Sequence, residues 1–565
     1  MEVKVLVNQV GYEVDSAKRL LVQSDANIDL REFQIVAVYD ETPVFSGKLE
    51  YLGEVKEWGL HYWEGNFDNL RLKGTYVAIV KYSNELAISP PFKVRENILR
   101  ETINLAARFF FYQRCGMEVP GLHKPCHTDD GFLEHGGRVD VTGGWHDAGD
   151  YNKYNGYTPL ATYALVYTFE RVSARDLSKR VPLSRLKQRD LLDEALWGAK
   201  FLLKMQTEDG WLYGRVWSGY SYWGPPELES MPRVVMGRAD ISAGGFTVAA
   251  FAKLSKLLRY YQREVASLLE RRALLAWSWY ASEARDVISR PQYSLSDAYR
   301  LAPMVIAALA LKEIGHDESL KLANSIVAKT IDSAQCYKGE KEYDKWFDPF
   351  VPVPPIFIVD MGLLPATLLL YSIDSKANLK EEARQLASGY IYNYLCKLVE
   401  NPLGIPKFYV SYKGMRRIVW FLPGDYFGNW HVGPNSYYLS IAWSFLLAAK
   451  VFNDRGLTVK AIKIFDWILG VNPFGICMLE GAGTYNLPEY HHRYGGIPGN
   501  ERGAVPGVIP NGICREPIEV NGKKTEGEDK PFIDLEFRGG GIAKYETNEP
   551  WLPHNAYYLL ALSEL

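Results

Sequence analysis

The sequence predicts two domains in tandem: an immunoglobulin-like β-sandwich over residues 1–95, then an all-α domain over residues 96–565 built as an (α/α)6 barrel. Three observations carry this. The 565-residue length exceeds one ordinary domain. The N-terminal region holds short β-rich runs separated by turn residues. From about residue 101 the apolar spacing becomes that of helices.

In the first domain the runs are Val3–Val7, Arg19–Gln23, Phe33–Tyr39, Val44–Tyr51, Leu60–Asn66, Thr75–Tyr82 and Phe92–Arg95. Turn residues such as Asp40-Glu41-Thr42-Pro43 and Lys73-Gly74 separate them. Strands of this number and spacing fit an immunoglobulin-like sandwich. Pro90-Pro91 then marks a boundary.

Twelve helices are expected beyond it, at 101–114, 158–171, 189–206, 244–258, 264–286, 294–314, 317–333, 356–371, 378–399, 435–452, 457–469 and 554–564. Asp317 is placed to start one and Gly470 to end another. Twelve helices joined by long Gly-, Pro- and aromatic-rich loops make six hairpins. Closed into a ring, they gather the long loops around a cleft at one end. An irregular helical array without closure is the alternative.

The formal charge of -3, from 64 Lys and Arg against 67 Asp and Glu, leaves no basic face for nucleic acid. No apolar run approaches the roughly 20 residues that span a bilayer, so no membrane partner is expected. Met1-Glu2-Val3-Lys4-Val5-Leu6-Val7 lacks the apolar core and cleavage site of a signal peptide and reads as a first strand. The expected location is therefore cytoplasmic, or secreted if a leader has been removed. Six cysteines are too few for a disulfide framework. The aromatic content of 13% suits either a large core or a carbohydrate platform, and only the location of the rings separates the two. Oligomeric state is not legible.

The segment Gly143-Gly144-Trp145-His146-Asp147-Ala148-Gly149-Asp150-Tyr151-Asn152-Lys153-Tyr154 is the most informative. Two carboxylates three residues apart, walled by Trp145, Tyr151 and Tyr154, can hold and activate a water molecule beside a sugar ring, which is the chemistry of glycoside hydrolysis. The bland alternative is a turn in which both aspartates cap backbone N–H groups before a helix. Near the C-terminus, Glu549 stands between Asn548 and Trp551. An acid packed against an aromatic loses solvation, which raises its pKa and suits it to donate a proton. Its alternative is an exposed helix cap. Pro488-Glu489-Tyr490-His491-His492-Arg493-Tyr494 offers imidazoles and a guanidinium to sugar hydroxyls, to a loop network, or to a metal. Trp223-Gly224-Pro225-Pro226-Glu227, followed by Met231 and Arg233, is a further aromatic loop. Finally Cys115, Cys126, His127 and His146 have the composition of a closed tetrahedral zinc site, although C-x10-C-H is not a zinc-finger spacing and His123 competes as a ligand. Two buried thiols and two unrelated histidines are the alternative.

Taken together these residues resemble glycoside hydrolase family 9, the inverting cellulase family, over nearly the whole chain. Met1 to about Arg95, with Asn8-Gln9-Val10-Gly11-Tyr12, is similar to the family's N-terminal immunoglobulin-like module. Asp147-Ala148-Gly149-Asp150, His491-His492-Arg493, Asn548-Glu549 and Asn555-Ala556 match its motifs in order. The resemblance implies an (α/α)6 barrel and single-displacement hydrolysis of β-1,4-glycosidic bonds in β-glucan or cello-oligosaccharides. It implies Asp150 as general base, Asp147 as its partner on the water, and Glu549 as general acid. His491 and Arg493 match substrate-contacting positions, and Trp145, Tyr151, Trp430 and Trp551 are the aromatic candidates beside them. It also implies structural zinc on Cys115, Cys126, His127 and His146. Calcium stays open, with no EF-hand-type acidic loop in view.

Two departures bear on substrate. Pro550-Trp551-Leu552-Pro553-His554 follows the Asn-Glu where small or aliphatic residues are usual. Asn429-Trp430-His431-Val432-Gly433-Pro434-Asn435 lacks the expected Arg-Tyr pattern. The resemblance also implies an alternative, since the family includes exo-acting enzymes of this layout: an exo-β-D-glucosaminidase acting on chitosan-derived oligosaccharides. A carbohydrate-binding protein without catalysis is a third reading, disfavoured because binding alone needs no matched acid and base.

Overall fold

A computed structural model describes residues 2–175, 191–336, 360–412, 415–422, 434–516, 518–520, 523–525 and 527–565. The N-terminal strands are β1 (Val3–Leu6), β2 (Arg19–Ser24), β3 (Glu32–Ala37), β4 (Pro43–Val55), β5 (Leu60–Asn66), β6 (Gly74–Tyr82), β7 (Glu85–Ile88) and β8 (Phe92–Val94). They pair in the order β1-β2-β5-β4-β3-β6-β7, with β8 also on β6. The long β4 passes from β3 to β5 and carries a register shift at Tyr51/Gly53, so one continuous sheet folds over on itself. Val5, Leu20, Val22, Phe33, Ile35, Trp63 and Val80 fill the enclosed core.

Every residue of β2 is buried. Strand side chains alternate between faces, so burial on both faces means that each is covered. Leu20 and Val22 point into the sandwich, whereas Leu21, with Leu6, Val55, Trp58 and Tyr62, belongs to the core of the helical domain. The joint is polar as well. Asn8 donates to Asp466 at 3.0 Å, and the Arg19 guanidinium reaches Glu64 at 3.1 Å and the Leu403 carbonyl at 2.7 Å.

Twelve helices of ten or more residues follow among the described residues: α1 (Ile98–Tyr112), α2 (Thr158–Arg175), α3 (Leu191–Met205), α4 (Ile241–Leu258), α5 (Arg263–Ser289), α6 (Leu295–Lys312), α7 (Ser319–Cys336), α8 (Leu363–Ser372), α9 (Lys380–Tyr390), α10 (Asn435–Phe452), α11 (Arg455–Ile468) and α12 (Leu552–Leu562). The even-numbered helices pack on one another in a closed cycle, α2-α4-α6-α8-α10-α12-α2. Each odd-numbered helix backs an inner one, and α1 lies against α12 to complete the sixth pair. This is the (α/α)6 barrel.

The sequence explains which helices are inside. All of α12 is buried, and an apolar helix with no polar face is stable only when covered on every side. The outer α5 instead buries one stripe, Ala266, Leu269, Ala273, Ala276, Tyr280, Ala284 and Val287. α4 is the one helix among the described residues long and apolar enough to cross a membrane, and 83% of that stretch is buried within the ring. Inner and outer helices alternate along the chain as hairpins, so the inner helices start at the same end of the barrel. The Asp147–Asp150 loop leads into α2 and Glu549 leads into α12 at that end.

Candidate active site

The Asp147–Asp150 loop is held from behind. Its backbone bonds the residues after α1, with His146 N–H donating to the Gln113 carbonyl at 2.8 Å and Cys115 N–H donating to the Gly144 carbonyl at 2.9 Å. The Gln113 side-chain amide donates to the Ala148 carbonyl at 2.8 Å. Neither aspartate caps a helix, because α2 begins only at Thr158. The Asp150 carboxylate accepts from the Asn152 N–H at 2.8 Å. One Asp147 oxygen accepts from the Trp551 indole N–H at 2.8 Å, and the other is buried without a protein partner.

Three separate motifs meet at Gly149. Its N–H donates to Glu549 Oε1 at 3.2 Å, and its carbonyl accepts from the Arg493 N–H at 2.9 Å. A Cβ on Gly149 would lie 2.0 Å from the His491 carbonyl oxygen and 3.1 Å from Glu549 Cγ, so this crossing admits only glycine. Glu549 does not cap α12 either. Trp551 occupies that position and makes no side-chain cap.

Burial and the neighbouring Asp150 and Asp147 charges push Glu549 up to about 8, with Arg493 and the Gly149 N–H opposing. Burial, then repulsion from Asp150, drives Asp147 well above the usual carboxylate range. Burial raises Asp150 too, but Arg493, Asn152 and Arg233 pull it back. Three carboxyls in one site thus have different proton affinities for identifiable reasons. Asp150, the one beside the positive charge, is best placed to be ionised, and Glu549 to stay protonated.

Arg493 is anchored by donating to the Tyr220 carbonyl at 2.9 Å and the Tyr222 carbonyl at 3.2 Å, and its guanidinium lies 4.8 Å over the Trp223 ring. His491 packs edge-on to Trp223. His491 Nδ1 bonds the Ala543 carbonyl at 2.7 Å, which leaves Nε2 to a ligand, and burial lowers its pKa to about 4, so the ring is neutral. His492 is buried between Gln113 and the Tyr494 N–H and serves the loop instead.

Two expected sugar contacts are corrected. Trp145 is fully buried. Its ring packs on Phe110 and its indole N–H donates to Glu194 at 2.8 Å, so it is core. Tyr151 is 3% exposed, its hydroxyl bound to the Gly224 carbonyl. The aromatics beside the acid pair are Tyr154, whose hydroxyl meets that of Tyr220 at 3.0 Å, and Trp551, packed edge-on to Tyr157 at 4.7 Å. Trp430 lies outside the described residues. The Trp223 loop, for which sequence offered no chemistry, proves to be the wall behind His491 and Arg493.

Cys115, Cys126, His127 and His146 converge as the sequence suggested. Their ligand atoms all lie within 4.8 Å of one another and all four residues are buried. The Cys115–His127, Cys126–His146 and Cys115–Cys126 separations are 3.5, 3.7 and 4.0 Å. A tetrahedral zinc site with standard bond lengths has edges of about 3.6 Å for N–S and about 3.8 Å for S–S, so the donors fit such an ion. Each imidazole also has a second partner on its other nitrogen: Glu229 at 2.9 Å for His127 and the Tyr494 hydroxyl at 3.1 Å for His146. These fix which nitrogen is free to bind metal. His123 stands outside the group, turned to the Lys124 carbonyl. Among the described residues no acidic cluster of the kind calcium takes accompanies this set.

Comparison with known proteins places the chain in a family. The family model for glycosyl hydrolase family 9 matches residues 100–562, and that of the cellulase N-terminal ig-like domain matches residues 2–85. A xyloglucan-specific endo-beta-1,4-glucanase of Bacteroides ovatus is 24% identical over 99% of this chain and 93% of its own. A cellodextrinase of Butyrivibrio fibrisolvens is 28% identical over 50% of this chain, the match spanning 53% of that relative. Among solved structures, a metagenome-derived glycoside hydrolase family 9 endoglucanase superposes with a TM-score of 0.73 at 22% identity, covering 99% of this chain and 98% of its own. A zinc-binding triple mutant of a family 9 endoglucanase does so with 0.70 at 19% identity, covering 98% and 99%. With the family model spanning the barrel from its first helix to its last, the chain belongs to glycosyl hydrolase family 9.

Proposed function

We propose that this glycoside hydrolase cleaves β-1,4-glucosidic bonds of β-glucan or cello-oligosaccharides in a single displacement with inversion. Asp150 is the general base that deprotonates water, and Asp147 helps to hold that water. Glu549 is the general acid that protonates the departing oxygen. The observation that carries the reading is the split in proton affinity across one Gly149 crossing. Glu549 is pushed to about 8, whereas for Asp150 the Arg493 charge opposes the rise that burial causes. Inversion needs one carboxyl of each kind with room for a water between them. His491 Nε2 and the Arg493 guanidinium orient the sugar.

The metal in the Cys/His group is zinc in this reading, bound through Cys115 and Cys126 thiolates, His127 Nδ1 and His146 Nε2. Four protein donors leave no open position, so the ion is structural. It pins His146, and with it the adjacent Asp147.

Incubating the protein separately with cellopentaose and chitosan pentamer, and following the products by chromatography, tests the substrate. Shorter cello-oligosaccharides are expected. Release of single glucosamine units from the chitosan pentamer alone would replace the assignment with exo-β-D-glucosaminidase, and no turnover of either would leave a binding protein.

A further inference from the structure

The ends of the inner helices hold carboxylates beyond the catalytic three. Asp240 leads into α4 and Asp360 into α8, at the same end of the barrel as Asp147 and Glu549. Their employment differs. Asp240 caps α4, accepting from the Ala243 N–H at 3.1 Å. Asp360 caps nothing: the α8 cap residue is Gly362, without a side-chain bond, and Asp360 offers the first turn only its carbonyl, to the Leu363 N–H at 2.8 Å. Its Oδ1 is buried with no hydrogen-bond partner. The backbone that presents it is clamped, because the Gly362 N–H donates to Ser440 Oγ at 3.0 Å and a Cβ there would lie 1.8 Å from the Ser440 carbonyl oxygen.

Its neighbours place it at the catalytic centre. The charges of Asp360, Asp147 and Asp240 all reach the Tyr157 hydroxyl; its ring packs on Trp551, whose indole N–H in turn holds Asp147. Across the barrel, the Tyr557 hydroxyl on α12 hydrogen-bonds the Asp360 carboxyl, which leaves Oδ1 as the oxygen without a partner. A buried acceptor left unmade is costly and is kept where a ligand completes it. Asp147 and Asp360 each have such an oxygen.

We infer that Asp360 is a substrate-binding and specificity-determining residue, its free carboxylate oxygen accepting a hydrogen bond from a hydroxyl or ammonium donor on the pyranose held beside Asp147. The assignment rests on the proposed glycosidase function. Burial raises this carboxyl to about 7, with Tyr557 opposing, so a donor that binds it must favour the ionised form. A sugar ammonium does so more strongly than a hydroxyl.

The test uses full-length Asp360→Asn and Asp360→Ala. Melting temperature is measured beside kcat and KM on cellopentaose and chitosan pentamer. Binding of both oligosaccharides is measured by calorimetry in a Glu549→Gln background. A ligand-directed carboxylate predicts unchanged or higher melting temperature, with kcat/KM lowered at least tenfold by Asp360→Ala, mainly through KM, and binding weakened in parallel. Asp360→Asn keeps an acceptor oxygen, so it recovers part of the loss for a hydroxyl donor and none for an ammonium. The paired substrates thereby tell the two apart. Unaltered kcat/KM and binding in both variants, or a drop in melting temperature that accounts for the loss, would overturn the assignment. Failure of the parent enzyme to hydrolyse either oligosaccharide would sink the glycosidase reading, while the calorimetry still decides Asp360. Absence of all binding to the parent overturns Asp360 as well.

Discussion

The Gly149 N–H donates to Glu549 Oε1 at 3.2 Å, joining two loops 400 residues apart in sequence. The peptide that carries this bond lies between Asp147 and Asp150, so Glu549 cannot move without disturbing that pair. A Cβ on Gly149 would collide with the His491 carbonyl oxygen. Gly149→Ala should therefore abolish activity and, as overpacking, destabilise by about 1–3 kcal/mol. Activity assays and denaturant unfolding check both.

Glu549→Gln should lower turnover of a natural oligosaccharide by about 10²–10⁴ while binding survives. In the parent the acid must be protonated, so activity should fall as pH rises through about 8. Stability has the same sign. With a folded pKa raised from 4.5 to about 8, this group's contribution is complete below 4.5 and is lost as pH climbs through 8. Unfolding curves of the mutant should lose that part of the pH dependence.

Arg493→Gln should move the acidic limb of kcat/KM to higher pH, because the guanidinium is the largest influence opposing the burial of Asp150. A limb that does not move would place the base elsewhere.

Trp551→Phe removes the N–H that holds Asp147 and keeps the ring on Tyr157. A hydrogen bond to a neutral group contributes about 0.5–1.5 kcal/mol, so kcat should drop roughly 2- to 10-fold with little change in melting temperature. Steady-state kinetics beside a thermal melt separates this from misfolding.

Metal analysis should find about one zinc per chain. Chelation or Cys126→Ser should lower the melting temperature and, because His146 adjoins Asp147, reduce activity with it. A metal-free protein of full stability would contradict the closed site.

The resemblance to a known family pointed to the three carboxylates that the fold brings together, and the helix count anticipated the barrel. Boundaries slipped at the caps. α4, expected from 244, begins at Ile241 because Asp240 caps it. α1 begins at Ile98 after Asn97 in a left-handed conformation without a side-chain cap. The expected strand at Val44–Tyr51 runs from Pro43 to Val55, because a bulge carries pairing past Tyr51. The aromatics failed for a different reason. Trp145 and Tyr151 flank the aspartates in sequence, yet Glu194 and Gly224 from distant segments bury them. Which ring faces a cleft is set by such long-range partners. Asp360 was silent for the same reason, since its neighbours Tyr157 and Tyr557 come from distant segments.

The most direct test follows the anomer first released from cellopentaose by proton NMR. Attack by an Asp150-activated water with Glu549 as acid predicts the α-anomer, appearing before mutarotation. Initial β-anomer would mean a covalent intermediate and would contradict the assignment of the three carboxylates.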